Sequence, residues 1–222
     1  MTMLEGLDVY HGDGAVNWQE VFNAGARFAI VKATQGVSII DSALKRNLKD
    51  ARAAGLYVGL YHYFLPTGDA YAQARHYLDA VTAAVGAVSA HAAFRNLLVP
   101  CVDVEDAGDL GRDELVYSVL TFIKAVQAEV TRGCVVYTYP SFIAEHLAGA
   151  HHAEVLAGYP LWIASYPHGG DPTGEPNIPA LWKSAAFWQY TDHGSIPGVA
   201  GHGVDLDVFL GDTAGLEKLV VR

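Results

Sequence analysis

The chain has 222 residues, 51% of them hydrophobic and 17% charged, with a formal net charge of −10. Such a composition buries a core and excludes a disordered chain, and the length suits one large domain or two small ones. No basic run or stripe is present, so nucleic acid is excluded as an expected partner.

Short apolar runs alternate with longer helical patterns. GLDV (6–9) reads as a strand starting from about Glu5, and Asn17 as the cap of a short helix to Ala24. RFAIVK (27–32) is the second strand, and SALKRNLKDARAAG (42–55) a helix stopped by Gly55. LYVGLYHYF (56–64) is the third strand and GDAYAQARHYLDAVTAAV (68–85) the next helix. LLVPCVDVE (97–105) is the fourth strand, followed by the helix DELVYSVLTFIKAVQAEV (113–130). CVVYTY (134–139) is the fifth, with a short proline-led helix over 140–147. LWIAS (161–165), AAFWQYT (185–191) and GVDLDVF (203–209) are strands joined by Gly/Pro-rich loops without convincing helices. Five βα units and three further strands predict a parallel barrel with a degenerate final third, one domain over 1–222 with 167–179 as a barrel loop.

The N-terminal MTMLEGLDVYHG has no basic segment followed by a long apolar one, and no run is long enough to span a bilayer. Neither a signal peptide nor membrane insertion is expected. Cys101 and Cys134 do not make a disulfide framework. Strand parity points Cys101 into the barrel and Cys134 toward the helices, so two free thiols are expected.

In a barrel of this class the working face lies at the C-terminal ends of the strands. The strands end near Asp8, Lys32, Tyr61 and Tyr63, Asp103 and Glu105, and Tyr137 and Tyr139; the sixth carries Trp162 and is followed by Tyr166. The seventh ends Trp188-Gln189-Tyr190, and the eighth starts at Gly203-Val204-Asp205. Carboxylates and aromatics gathered on one rim suit a sugar, whose ring stacks on flat apolar side chains while acids handle hydroxyls and the glycosidic oxygen. Asp103 and Glu105 share a strand face, about 6–7 Å apart at roughly 3.3 Å per residue. Like charges at that range raise one pKa and keep one carboxyl protonated, as glycoside hydrolysis requires. Alone, D-x-E equally suits a structural role; its place at the end of an apolar strand favours catalysis.

These segments resemble the glycoside hydrolase family 25 lysozymes, a muramidase family. GLDVYHGDGAVNW (6–18) is similar to the family's opening D-V-S-x-x-Q-G-x-I-[ND]-W, and FAIVKATQG (28–36) to F-x-x-x-K-A-T-E-G. AGLYVGLYHYF (54–64) is similar to A-G-L-x-V-G-x-Y-H-F, VDVE (102–105) to D-x-E, and PLWIASY (160–166) to P-L-W-x-A-x-Y. FWQYTDHGSIPGVAGHGVDLDVF (187–209) is similar to W-Q-Y-[TS] followed by G-x-V-D-x-[ND]-x-F. The resemblance implies an α/β, TIM-like (β/α)5(β)3 barrel and cleavage of the β-1,4 bond between N-acetylmuramic acid and N-acetylglucosamine in peptidoglycan. It implies Glu105 as general acid and Asp103 as support for the substrate's 2-acetamido group, with net retention. It implies Asp8 and Asp205 as two further site acids, and Tyr61, Tyr137, Trp162, Tyr166, Trp188 and Gln189 as groove-lining candidates.

The chain departs from the family at Tyr10, Asp13, Gln35 and Asp207, where Ser, Gln, Glu and commonly Asn stand. These changes bear on the groove edge near the first strand. Lys32 is read as neutralising a buried acid, and His62, of opposite parity to Tyr61, as facing the helices. Trp18 and Trp182 are read as packing residues, and the histidines lack metal-ligand spacing, so neither a metal nor a cofactor is expected. The expected protein is a monomer acting on peptidoglycan glycan strands at the cell wall, as a phage endolysin or bacterial wall-lytic enzyme released by lysis or a non-classical route. Hydrolysis of another N-acetylglucosamine polymer such as chitin, or wall binding without catalysis, stay open as alternatives.

Overall fold

Buried on both faces, the short apolar runs become strands of one sheet that curls until its ends meet. The computed structural model describes residues 3–200 and 203–222. Residues 1–2 of the expected leaderless N-terminus and 201–202 of the last family-like segment lie outside it. The strands are β1 (Leu4–Val9), β2 (Phe28–Gln35), β3 (Ile39–Ile40), β4 (Tyr57–Tyr63), β5 (Cys101–Asp103), β6 (Val135–Thr138), β7 (Leu161–Ala164), β8 (Phe187–Gly194) and β9 (Val204–Phe209). The order β1-β9-β8-β7-β6-β5-β4-β2, with β1 pairing back onto β2, closes an eight-stranded barrel, and β3 adds two antiparallel residues at the end of β2.

The helices are α1 (Trp18–Asn23), α2 (Leu44–Ala53), α3 (Ala70–Val85), α4 (Ala90–Phe94), α5 (Arg112–Val130), α6 (Pro140–Phe142), α7 (Ala153–Leu156) and α8 (Thr213–Glu217). A wider π-helical turn, Ile143–Leu147, continues α6. The Asn17, Asp69, Ser89 and Asp212 side chains accept from backbone N–H groups in the first turns of α1, α3, α4 and α8. Gly86, at φ 73°, ends α3 in the left-handed region.

Two expectations are corrected. The barrel is not wholly parallel: β9 runs antiparallel to both β8 and β1. The 195–203 connection is too short for a parallel crossover, so the chain turns back. Reversal puts the start of β9, with Asp205, at the rim where the other strands end. The fourth strand is also shorter than 97–105. Leu98 and Val99 donate to Val58 and Leu219, and Pro100 has no N–H to give, so the ladder with β4 and β6 covers only Cys101–Asp103. Glu105 therefore stands just beyond the strand. Helices α4, α7 and α8 are too short for the periodicity to reveal.

Outside the barrel, α3 and α5 cover β2 and β4 with Tyr77, Leu78, Val81, Val119, Phe122 and Ile123. A register shift between Lys32 and Thr34 turns Thr34 onto this outer face. There His62, fully buried, contacts Thr34 Oγ1 through Nδ1 at 2.7 Å and Gln73 Oε1 through Nε2 at 3.1 Å, and stacks on Phe122 at 4.8 Å. Burial pushes its pKa down to about 3, so the ring is neutral, with Nε2–H donating and Nδ1 accepting. Trp18 and Trp182 are buried packing residues, and Cys101 and Cys134 are buried and free.

Candidate active site

Alternation along the strands sorts the barrel interior into layers. Phe28, Phe187 and Phe209 close the bottom, with ring centroids 5.2 and 5.1 Å apart. Gly6 makes room for them, since a Cβ there would sit 2.5 Å from the Phe28 ring. Trp162 and Cys101 fill the middle. Polar side chains take the upper end: register sets Asp8 opposite Asp205, Asp103 between Tyr63 and Tyr137, and Gln189 beside Asp207.

One amide organises this layer. Gln189 Oε1 accepts from the Tyr137 hydroxyl at 2.9 Å and the Tyr166 hydroxyl at 2.8 Å. Its Nε2 is thereby turned to Asp8 and donates to Oδ2 at 2.7 Å. Beneath, Trp162 Nε1 donates to Asp207 Oδ1 at 2.7 Å. The Tyr137 ring meets Trp162 edge-on at 4.5 Å, so tyrosine and tryptophan brace each other.

Five acids share this end of the barrel, and folding raises the pKa of each. For Asp103, only 5% exposed, burial is the main cause and Glu105 adds to it, while Lys32 opposes. Burial also raises Glu105, again against Lys32 and with a smaller push from Asp106. Burial and then Asp207 and Asp205 hold Asp8 well above the carboxylate range. Asp205 rises to about 7 through burial and then Asp13 and Asp192. Asp207 rises to about 8 through burial, against the Trp162 hydrogen bond. The Lys32 ammonium donates to Gln35 at 3.0 Å and lies 4.9 Å from the centre of the Tyr63 ring. It eases the charge of the Asp103–Glu105 pair.

Above this layer opens a cleft of about 680 Å³ lined by Glu105, Tyr137, Tyr139, Ser165, Tyr166 and Asn177. Hollows of 770 and 800 Å³ beside α1 and around Trp182 are larger but hold no buried acid. Chemistry rather than size marks the site. Among the described residues no cluster of His, Cys, Asp and Glu could hold a metal ion, and no helix is long and apolar enough to cross a membrane.

A family model described as "Glycosyl hydrolases family 25" matches residues 7–199. The chain belongs to that family. As a family 25 member it is a glycoside hydrolase, and its barrel is the family's. It is 32% identical to the uncharacterized protein YegX of Escherichia coli K12, over 98% of this chain and 73% of that protein. It is 31% identical to Lysozyme M1 of Streptomyces globisporus, over 97% and 71% of the two chains. The crystal structure of a bacterial lysozyme from Streptomyces coelicolor superposes with a TM-score of 0.84 at 26% identity, covering 99% of this chain and 98% of that one. The family match stops before β9, so Asp205 takes its place from register opposite Asp8.

The fold brings Asp8, Asp103, Glu105, Asp205, Tyr61, Tyr137 and Gln189 to one end of the barrel. Tyr166, 51% exposed, reaches over the cleft from the loop after β7. Two groove candidates are not brought there. Trp162, 2% exposed, lies below the acids as their support and offers no open face. Trp188 has the opposite parity to Gln189, is 1% exposed and donates to the Ser165 carbonyl at 2.6 Å, so it packs outside the lumen. The sequence names Tyr63 and Tyr139 as strand ends and Asp13 and Asp207 as departures from the family without assigning them to the site, and it does not mark Asn177. Tyr63 and Asp207 share strand parity with Tyr61 and Asp205, which parity alone does not rank; Asn177 comes from an irregular loop without periodic signal.

Proposed function

We propose that the protein is a 1,4-β-N-acetylmuramidase that hydrolyses the bond between N-acetylmuramic acid and N-acetylglucosamine in peptidoglycan. The observation that carries this is the pair Asp103 and Glu105 where a barrel strand opens into an aromatic cleft, in a chain related along most of its length to proteins named as lysozymes. A further relative, 31% identical over 93% of this chain and 56% of its own length, is the autolytic lysozyme of Clostridium acetobutylicum.

Glu105, at the cleft wall, protonates the glycosidic oxygen as the bond breaks. Asp103 Oδ1 is buried without a hydrogen-bond partner. The N–H of the substrate's 2-acetamido group donates to that atom, and its carbonyl oxygen attacks the anomeric carbon. In the free enzyme burial favours the neutral form of Asp103 more than that of Glu105. Donation from the substrate reverses this order, stabilising the Asp103 anion and leaving the proton on Glu105. Glu105 then takes a proton from the water that opens the ring intermediate, so two inversions give net retention. Asp8 and Asp205 orient groups about the sugar, with Tyr61, Tyr137, Tyr166 and Gln189 lining or bracing the groove.

We assign residues 1–222 to one catalytic unit, a wall-lytic enzyme of phage or bacterial origin, with the glycan strand as its partner. Digestion of purified peptidoglycan followed by mass analysis of the new reducing ends tests the reading. Muramic acid ends support it, and glucosamine ends overturn it. Proton NMR of the first-formed anomer tests retention, which requires the β product.

A further inference from the structure

Asp207 is fully buried on β9, on the same face as Asp205, and lies across from Gly6 on β1 and Gln189 on β8. Trp162 holds its Oδ1, but its Oδ2 is buried without a partner. Asp8, buried on the same interior face of the neighbouring strand and two residues along from Gly6, is held among the described residues through Oδ2 by Gln189. None of the ion pairs among the described residues involves either acid. Two bare anions on adjacent strands at this depth would be costly. A single proton between them removes one charge and gives the orphaned oxygen its hydrogen bond.

On the reading that this site cleaves a glycan, we propose that Asp207 is a positioning residue that holds one proton jointly with Asp8, and that losing this proton closes the alkaline end of the activity range. Joint protonation pins Asp8 from two sides, by Gln189 and by Asp207. Loss of the proton sets two anions against each other and drives Asp8 from the geometry the groove needs.

The surrounding groups do not supply a substitute charge. Tyr61 on β4, Cys101 on β5, Tyr137 on β6 and Tyr190 on β8 all have raised pKa values and stay neutral through this range. Asp205 adds repulsion to both acids. Lys32 on β2 acts on Asp103 and Glu105 instead. Burial and repulsion raise both acids, Asp207 to about 8.

Asp207→Asn keeps an oxygen for Trp162 and offers Asp8 a permanent N–H donor. The alkaline limb of its kcat/KM profile on peptidoglycan should lie at least about one pH unit above the wild type's. Its thermal midpoint should also fall less between pH 7 and 9. An unmoved limb overturns the positioning role, and parallel stability profiles overturn the shared proton itself. If the wild type does not cleave peptidoglycan, the proposed function fails, while the stability comparison still decides the shared proton. Should Asp207→Asn not fold, Trp162→Phe serves: losing the indole donor makes the Asp207 anion harder to form, so the limb must again move upward, and an unmoved limb overturns the proposal.

Discussion

His62 gives the fold a calculable sensitivity to acid. In the unfolded chain its imidazole titrates near 6.5, and in the folded protein burial pushes the value down to about 3. A depressed folded pKa means that the unfolded chain takes the proton first. The contribution to stability is whole above pH 6.5 and lost as pH falls toward 3. At about 1.36 kcal/mol per pH unit, the loss is roughly 2 kcal/mol by pH 5, with a ceiling near 5 kcal/mol. Site acids with raised pKa values act in the opposite sense, so the wild type alone does not isolate the histidine. His62→Gln removes the titrating ring while leaving a polar side chain beside Thr34 and Gln73. It should cost about 1–3 kcal/mol at pH 7 through the lost stack on Phe122. Urea unfolding of both proteins at pH 7 and pH 5, followed by tryptophan fluorescence, gives the double difference. The wild type should lose about 2 kcal/mol more than the variant between the two pH values. A double difference below about 0.5 kcal/mol would refute a neutral, acid-labile His62.

Other substitutions separate the site from its supports. Glu105→Gln should lower kcat/KM by about 10²–10⁴-fold with an unchanged circular dichroism spectrum, and retained activity would remove Glu105 from the acid role. Gln189→Leu strands the hydroxyls of Tyr137 and Tyr166 and frees Asp8. It should cost about 1–3 kcal/mol in denaturant unfolding and lower kcat; normal turnover would count against Gln189 as the organiser of the acids. Trp188→Phe leaves the Ser165 carbonyl without its indole donor. It should lower stability by about 1–3 kcal/mol while KM stays put, and a raised KM would return Trp188 to the groove. Alkylation of the denatured protein without reductant should modify both Cys101 and Cys134, and no modification would mean a disulfide that the structure does not contain.

Much of this site is written as strand parity. The two-residue repeat puts Tyr61 with Tyr63, Asp103 with Cys101 and Asp205 with Asp207, and it turns His62 toward the helices. Those relations follow from backbone geometry alone. The same rule also sets Trp188 opposite Gln189, against the groove role that the family resemblance implies for it. The short 195–203 connection likewise contains the reversal of β9, because so few residues cannot make a parallel crossover.

What the tertiary structure decided is which residues separated along the chain share a hydrogen bond. Gln189 reaches Asp8 across 181 positions, and Trp162 reaches Asp207 across 45. Barrel closure makes these neighbours, and no local pattern in either segment encodes the partner. Burial is also a property of the closed barrel: it raises all five acids together, and it makes one indole a support and hides another. By itself the sequence determined where most strands lie, the side most of their residues face and the acids at the rim. Enclosure and long-range contact decided how those acids are charged, because a carboxyl's pKa depends on its solvent and neighbours rather than on its place in the chain.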